Sequence, residues 1–144
     1  MDVTKKELYA AKRGSGLDDS SPVILETWQR IKNDSAETNW FLVSYTANNV
    51  VDVCASGTGG LEELCDNLSN EEVFFGGYRT KTEPAQFYSF YFVGQEVGGM
   101  KRGRASMHKP TILNKLEGCR GEMSFMSEDE MPVTKTKILA ACPN

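Results

Sequence analysis

The heptapeptide Phe87-Tyr-Ser-Phe-Tyr-Phe-Val93 constrains the fold more than any other part of the chain. Every residue but the serine is apolar or aromatic, so no alternation separates a wet face from a dry one. A strand carrying large side chains on both sides must lie inside a sheet that helices cover on each face. Trp40-Phe-Leu-Val-Ser-Tyr45 has the same two-sided character. Asn48-Asn49 reads as a tight turn from it into Val50-Val-Asp-Val-Cys54, which makes these two strands a hairpin.

The covering helices are legible from caps and spacing. Ser21-Pro22 is a start signal, with serine as cap and proline in the first turn, and Ile24, Trp28 and Ile31 carry that helix to about Lys32. Leu61, Leu64, Cys65 and Leu68 make a second apolar stripe at helical spacing. Strands are expected over 72–79, 85–93 and 122–126. A third helix is expected to begin at Ser106 or Met107, after an irregular glycine-rich stretch over 94–103, because proline at 110 is tolerated only in a first turn. Gly118 stops it. Ser127-Glu-Asp-Glu130 has the form of a capping box opening a C-terminal helix that carries Ile138 and Leu139, with Pro132 disturbing its early part. The resulting order is helix, two strands, helix, two strands, helix, strand, helix. That is the pattern of one domain, a mixed sheet of about five strands between helices. Its expected span is 20–142, preceded by a flexible polar extension over 1–19.

Composition excludes several function classes. The 144 residues are 40% hydrophobic and 25% charged, which is ordinary for a globular domain that needs neither metal nor disulfide. No apolar run is long enough to cross a bilayer, and the N-terminus lacks the charged-then-apolar order of a secretory signal, so a cytoplasmic location is expected. Cys54, Cys65, Cys119 and Cys142 show no metal-like spacing and are expected to be reduced thiols. A net charge of −4 argues against general affinity for nucleic acid.

Chemistry finds little support. His108, the one histidine, is expected at or near the surface, and no motif pairs it with a nucleophile. A Cys–His pair drawn from Cys54 or Cys119 stays open as a cysteine-dependent enzyme alternative. Ser56-Gly-Thr-Gly-Gly60 precedes a helix but lacks the endings of phosphate-binding loops. Glu62 and Glu63 fall on the polar side of the second helix, where a solvated face explains them. No cofactor is expected. The segment from Met100 to Lys109 differs, because Lys101, Arg102, Arg104 and Lys109 stand together with no acid among them. Such a patch suits a partner rich in carboxylates, and without interleaved aromatics it does not suit nucleic acid.

Four blocks, Val23 to Ile31, Asn39 to Tyr45, Gly57 to Leu64 and Phe87 to Gly94, together with the basic segment that follows them, resemble the actin-depolymerising-factor homology family. The likeness is strongest to its coactosin-type members, with the N-terminal domain of drebrin-like proteins close behind. It implies an α+β fold, a mixed five- or six-stranded sheet between helix pairs. It further implies a monomeric actin-binding protein of the cytoskeleton with no catalytic chemistry, which binds filaments in preference to monomers. Cofilin-like monomer binding with severing is the alternative within the family. The main contact would fall on Met100, Lys101, Arg102, Arg104, Ser106 and Met107. A second, filament-specific surface would combine Arg79, Lys81 and Gln86 with Glu128, Asp129, Lys135 and Lys137. Gln86 stands where coactosin-type proteins carry a lysine, and Pro110 implies that the basic residues sit on a loop rather than a rigid helix.

Overall fold

The computed structural model describes residues 16–144. The elements follow the expected order: α1 (Val23–Lys32), β1 (Trp40–Ala47), β2 (Val50–Gly57), α2 (Gly60–Asp66), β3 (Val73–Arg79), β4 (Phe87–Val93), α3 (Gly99–Leu113), β5 (Gly121–Met126) and α4 (Met131–Ala141). The sheet order is β2-β1-β3-β4-β5. All pairings are antiparallel except β4 with β5. Asn49 adopts a left-handed φ of 62° in the β1–β2 turn, a conformation that asparagine tolerates.

The two-sided strands do what their composition requires. On one face Phe41, Val43, Phe75 and Tyr91 pack under α1 and α3, against Trp28, Ile31, Ala105 and Ile112. On the other, Trp40, Leu42, Tyr78, Phe90 and Phe92 pack under α2 and α4, against Leu61, Leu64 and Ile138. Two adjacent glycines in β3 permit this closeness. A Cβ on Gly76 would lie 2.1 Å from the Phe41 carbonyl oxygen, and one on Gly77 would lie 2.7 Å from the Trp28 ring.

Several expectations change. Leu17, assigned to the flexible extension, is buried at 2% exposure, and Asp18 exchanges backbone hydrogen bonds with Asn49 and Val51 at 2.6 and 3.0 Å. Asp19 pairs with Lys115 at 3.3 Å, so the packed fold reaches back to residue 17. Residues 1–15 of that extension lie outside the described residues. The capping box does not form. The Ser127 hydroxyl donates to the Asp129 carbonyl (3.0 Å) and meets Thr134 Oγ1 (3.0 Å), while the extended backbone of Glu130 leads into α4. Pro132 then falls in the first turn, where a missing N–H leaves no bond unmade.

The largest change concerns α3, which begins at Gly99 and runs straight through Pro110. Tertiary contacts override the weak local propensity of its glycines. Arg102 folds back to donate to the carbonyls of Val97 (2.8 Å), Gly94 (2.9 Å) and Gln95 (3.2 Å), fastening the approach to the helix. Ala105, His108, Ile112 and Leu113 then form one buried stripe. His108 is fully buried, not at the surface, and its Nδ1 is 2.8 Å from the Tyr45 hydroxyl. Gly103 faces open space. Gly103→Ala is expected to raise the unfolding free energy by about 0.5–1 kcal/mol, read from a urea midpoint, because it removes backbone entropy without adding a clash.

Candidate interaction surface

The inward stripe of α3 determines which side chains it turns outward. Met100 is 85% exposed and Met107 57%, and Gly103, Ser106 and Pro110 complete the same ridge. The basic residues flank this ridge and do not crown it. Lys101 pairs with Glu72 at 2.8 Å and sits over the Tyr45 ring. Lys109 pairs with Glu122 at 2.5 Å and lies 5.0 Å from the Tyr91 ring centre. Burial alone would raise the Glu122 carboxyl, but hydrogen bonds from Lys109 and Ser124 and the Lys109 charge hold it below its ordinary range. Arg102 is committed to backbone carbonyls. Arg104 makes no ion pair among the described residues. Together with Lys101 it lines a cavity of about 230 Å³ against Tyr45 and the β1–β2 turn. The surface is therefore a helical ridge of thioethers with cations at its margin, not a basic loop.

The second expected surface does not assemble as a unit. Arg79 and Tyr78 alternate along β3, and Arg79 falls on the α1 side of the sheet. There it donates to the Ile31 carbonyl (2.8 Å), pairs with Asp34 (2.7 Å) and covers the Phe87 ring. Lys81 is exposed and Gln86 half-buried in the β3–β4 connection. The C-terminal tail reaches that end of the sheet through the Tyr78 hydroxyl, which donates to the Pro143 carbonyl at 2.7 Å. Glu128 and Asp129 lie at the opposite end, where their carbonyls accept from Gln95 (3.2 Å) and Asn70 (3.1 Å) beside the approach to α3. Asp129 also pairs with Lys137 at 2.6 Å, and Lys135 pairs with Asp66 at 2.6 Å. The structure thus places Glu128 and Asp129 near the start of the α3 ridge, away from Lys81 and Gln86.

Other candidates take structural roles. Glu63 is not simply solvated: its carboxylate accepts from the Trp40 indole (2.7 Å) and the Gly59 N–H (2.9 Å), and these bonds lower its pKa. Gly57 and Gly59 allow that approach, since a Cβ at either would collide with the Glu63 side chain. All four thiols are free. Burial pushes Cys65 up to about 12 and Cys142 up to about 11. Both folded-state values lie above the ordinary 9.0, so folding favours the protonated thiols. That stability is complete below the unfolded pKa and is lost as pH rises through the folded values. A urea midpoint that falls between pH 8.5 and 11, and falls less in the Cys65→Ala/Cys142→Ala variant, is the expected result. Among the described residues no helix is long and apolar enough to cross a membrane, and no group of three or more His, Cys, Asp or Glu could hold a metal.

Sequence reasoning missed Tyr45 and Glu72 as neighbours of the basic segment. Both positions follow from register: β3 pairs with β1 so that Val43 faces Phe75, which brings this end of β1 beside the start of β3. Nothing in the local sequence carries that information.

A five-stranded mixed sheet between two helix pairs, with the long third helix exposing a ridge, defines the actin-depolymerising-factor homology fold. The solved structure of coactosin from Entamoeba histolytica is similar, with a TM-score of 0.69, 24% identity, and coverage of 88% of this chain and 99% of that one. Human coactosin-like protein has a TM-score of 0.71 at 13% identity, covering 87% of this chain and 99% of that one. In sequence, the chain is 27% identical over 119 residues to the drebrin-like protein of Mus musculus, covering 80% of this chain but only 27% of that protein. It is 23% identical over 120 residues to coactosin of Dictyostelium discoideum, covering 79% of this chain and 82% of that protein. The family model for cofilin/tropomyosin-type actin-binding protein matches residues 16–141. The chain belongs to that family.

Proposed function

We propose that this chain binds the sides of actin filaments through the outward ridge of α3, as a cytoplasmic monomer without chemistry of its own. The observation that carries the reading is the pair of highly exposed methionines, Met100 and Met107, on a helix whose charges are held at its margin. Flexible thioethers supply the desolvated centre of a contact, and marginal cations steer an acidic partner into place. A non-catalytic role agrees with the Cys54 and Cys119 thiols, each pushed by burial up to about 11, and with a histidine whose Nδ1 faces a tyrosine hydroxyl. Arg104 is the cleanest test of steering, because Arg102 and Lys101 also serve the fold. Arg104→Glu should weaken co-sedimentation with filaments several-fold at 50 mM salt. The deficit should shrink as salt rises and the Debye length falls below about 10 Å. Equal binding by variant and wild type at low salt removes Arg104 from the surface.

Monomer binding, one half of the cofilin-like alternative, is favoured by one observation. The residues expected to form a separate filament contact lie at opposite ends of the sheet. Microscopy of labelled filaments separates the readings: decoration without breakage supports the side-binding assignment, and shortening with fragment growth supports severing.

A further inference from the structure

Ser106 stands at the middle of the α3 ridge, exposed and beside Met107. Among the described residues its hydroxyl makes no hydrogen bond to another group. It lies inside the one long stretch without acids, since no Asp or Glu occurs between Glu96 and Glu117. Lys101, Arg102 and Arg104 precede it closely. Among the other described serines, Ser44, Ser89 and Ser127 are buried, Ser124 bonds Glu122, and Ser20 bonds Asp18. The helix around Ser106 also has the composition of one that opens locally. Gly99 and Gly103 precede it, and Pro110 cannot supply the N–H that its carbonyl would accept in a regular helix. A kinase needs such an opening to draw a segment into its cleft in extended form.

We propose that Ser106 is a phosphorylation site for a serine/threonine kinase with an acidic substrate cleft, and that its modification switches off the α3 surface. In the transfer, Ser106 Oγ forms a bond to the γ-phosphorus of ATP as the bond to the ADP oxygen breaks. The hydroxyl proton passes to the kinase's carboxylate base, and ADP leaves. The product places a charge of about −1.5 to −2 at the centre of an otherwise uncharged ridge. Arg102 at i−4 and Lys109 at i+3 are its neighbours on the helix surface. Both now hold other partners, Arg102 the carbonyls at 94, 95 and 97 and Lys109 the Glu122 carboxylate. A phosphate competes for both through stronger charge-assisted bonds. Drawing Arg102 away unfastens the start of α3, so one modification repels an acidic partner and loosens the ridge that meets it.

The actin part of this inference rests on the function proposed above, and the test separates the two. The full chain is treated with the catalytic subunit of the cyclic-AMP-dependent protein kinase and Mg-ATP, and the site is read by tandem mass spectrometry. Phosphate is expected on Ser106, and the Ser106→Ala variant should lack the phosphopeptide covering that position. Phosphate confined to other residues, Thr111 included, or absent altogether, overturns the assignment. Amide exchange over 99–105 should quicken at least about fivefold on phosphorylation, whatever actin does, and unchanged exchange overturns the loosening mechanism. The unmodified chain must pellet with filaments first. If it does not, the actin reading fails, while phosphate and exchange still decide the site. If it does, phosphorylated chain and Ser106→Asp should both pellet more weakly, the former by roughly tenfold or more, and undiminished pelleting of the phosphorylated chain overturns the switch.

Discussion

Replacing Trp28 with alanine is expected to lower the melting temperature by on the order of 10–20 °C, the largest effect of any single substitution considered for this fold. The indole is fully buried between α1 and the sheet, within 6.0 Å of the Phe41 ring and 5.9 Å of Phe87. Its N–H also donates to the Glu117 carbonyl at 2.9 Å, tying α1 to the turn after α3. Gly77 keeps that space open in the sheet below. Truncation leaves a cavity bounded by strands that cannot close on it, so about 3–5 kcal/mol is lost. Domains of this kind have about 5–15 kcal/mol in total. At this chain length the loss corresponds to the stated shift. Thermal unfolding followed by circular dichroism measures it directly, and a shift below about 3 °C would mean that the site collapses around the missing ring. Gly77→Val attacks the same packing from beneath and should be comparably damaging.

The second large effect concerns binding. Met100→Asp/Met107→Asp should reduce affinity for filaments by roughly thirtyfold or more, the size of a hot-spot loss of about 2 kcal/mol. A carboxylate brought to the centre of a contact must be stripped of water with no partner waiting. Folding should be spared, because both side chains project into solvent and the acid at position 100 falls in the first turn of α3, where it is favourable. A normal melting curve with lost binding is the expected signature. Retained binding would move the contact away from the α3 ridge.

The architecture was legible because its determinants are local. Two-sided apolar strands demand covering helices, and the Ser21-Pro22 start and the Leu61 to Leu68 stripe place the first two of them to within a residue or two. The errors share a different cause. Reading Pro110 as a boundary hid the first two turns of α3, and with them the inward register that buries His108 and turns Met100 outward. The glycine-rich start is fastened by Arg102 bonding to three carbonyls of the preceding residues, and the buried stripe of Ala105, His108, Ile112 and Leu113 carries the helix past Pro110, which no propensity encodes. Basic residues drew attention because charge is visible in sequence. The exposed methionines stood among them, yet their weight follows only from the helix phase. Arg79 is a like case: parity along β3 puts it on the face opposite Tyr78, but its partners Ile31 and Asp34 come from a distant helix end. The split of the second surface likewise depends on the direction of α4 across the sheet, which the order of elements leaves open.

High-speed co-sedimentation of the unmodified chain with filamentous actin at low salt tests the central claim most directly. The account predicts saturable appearance of the chain in the pellet, lost in the Met100→Asp/Met107→Asp variant. A correctly folded wild-type chain that remains in the supernatant at every filament concentration would contradict it.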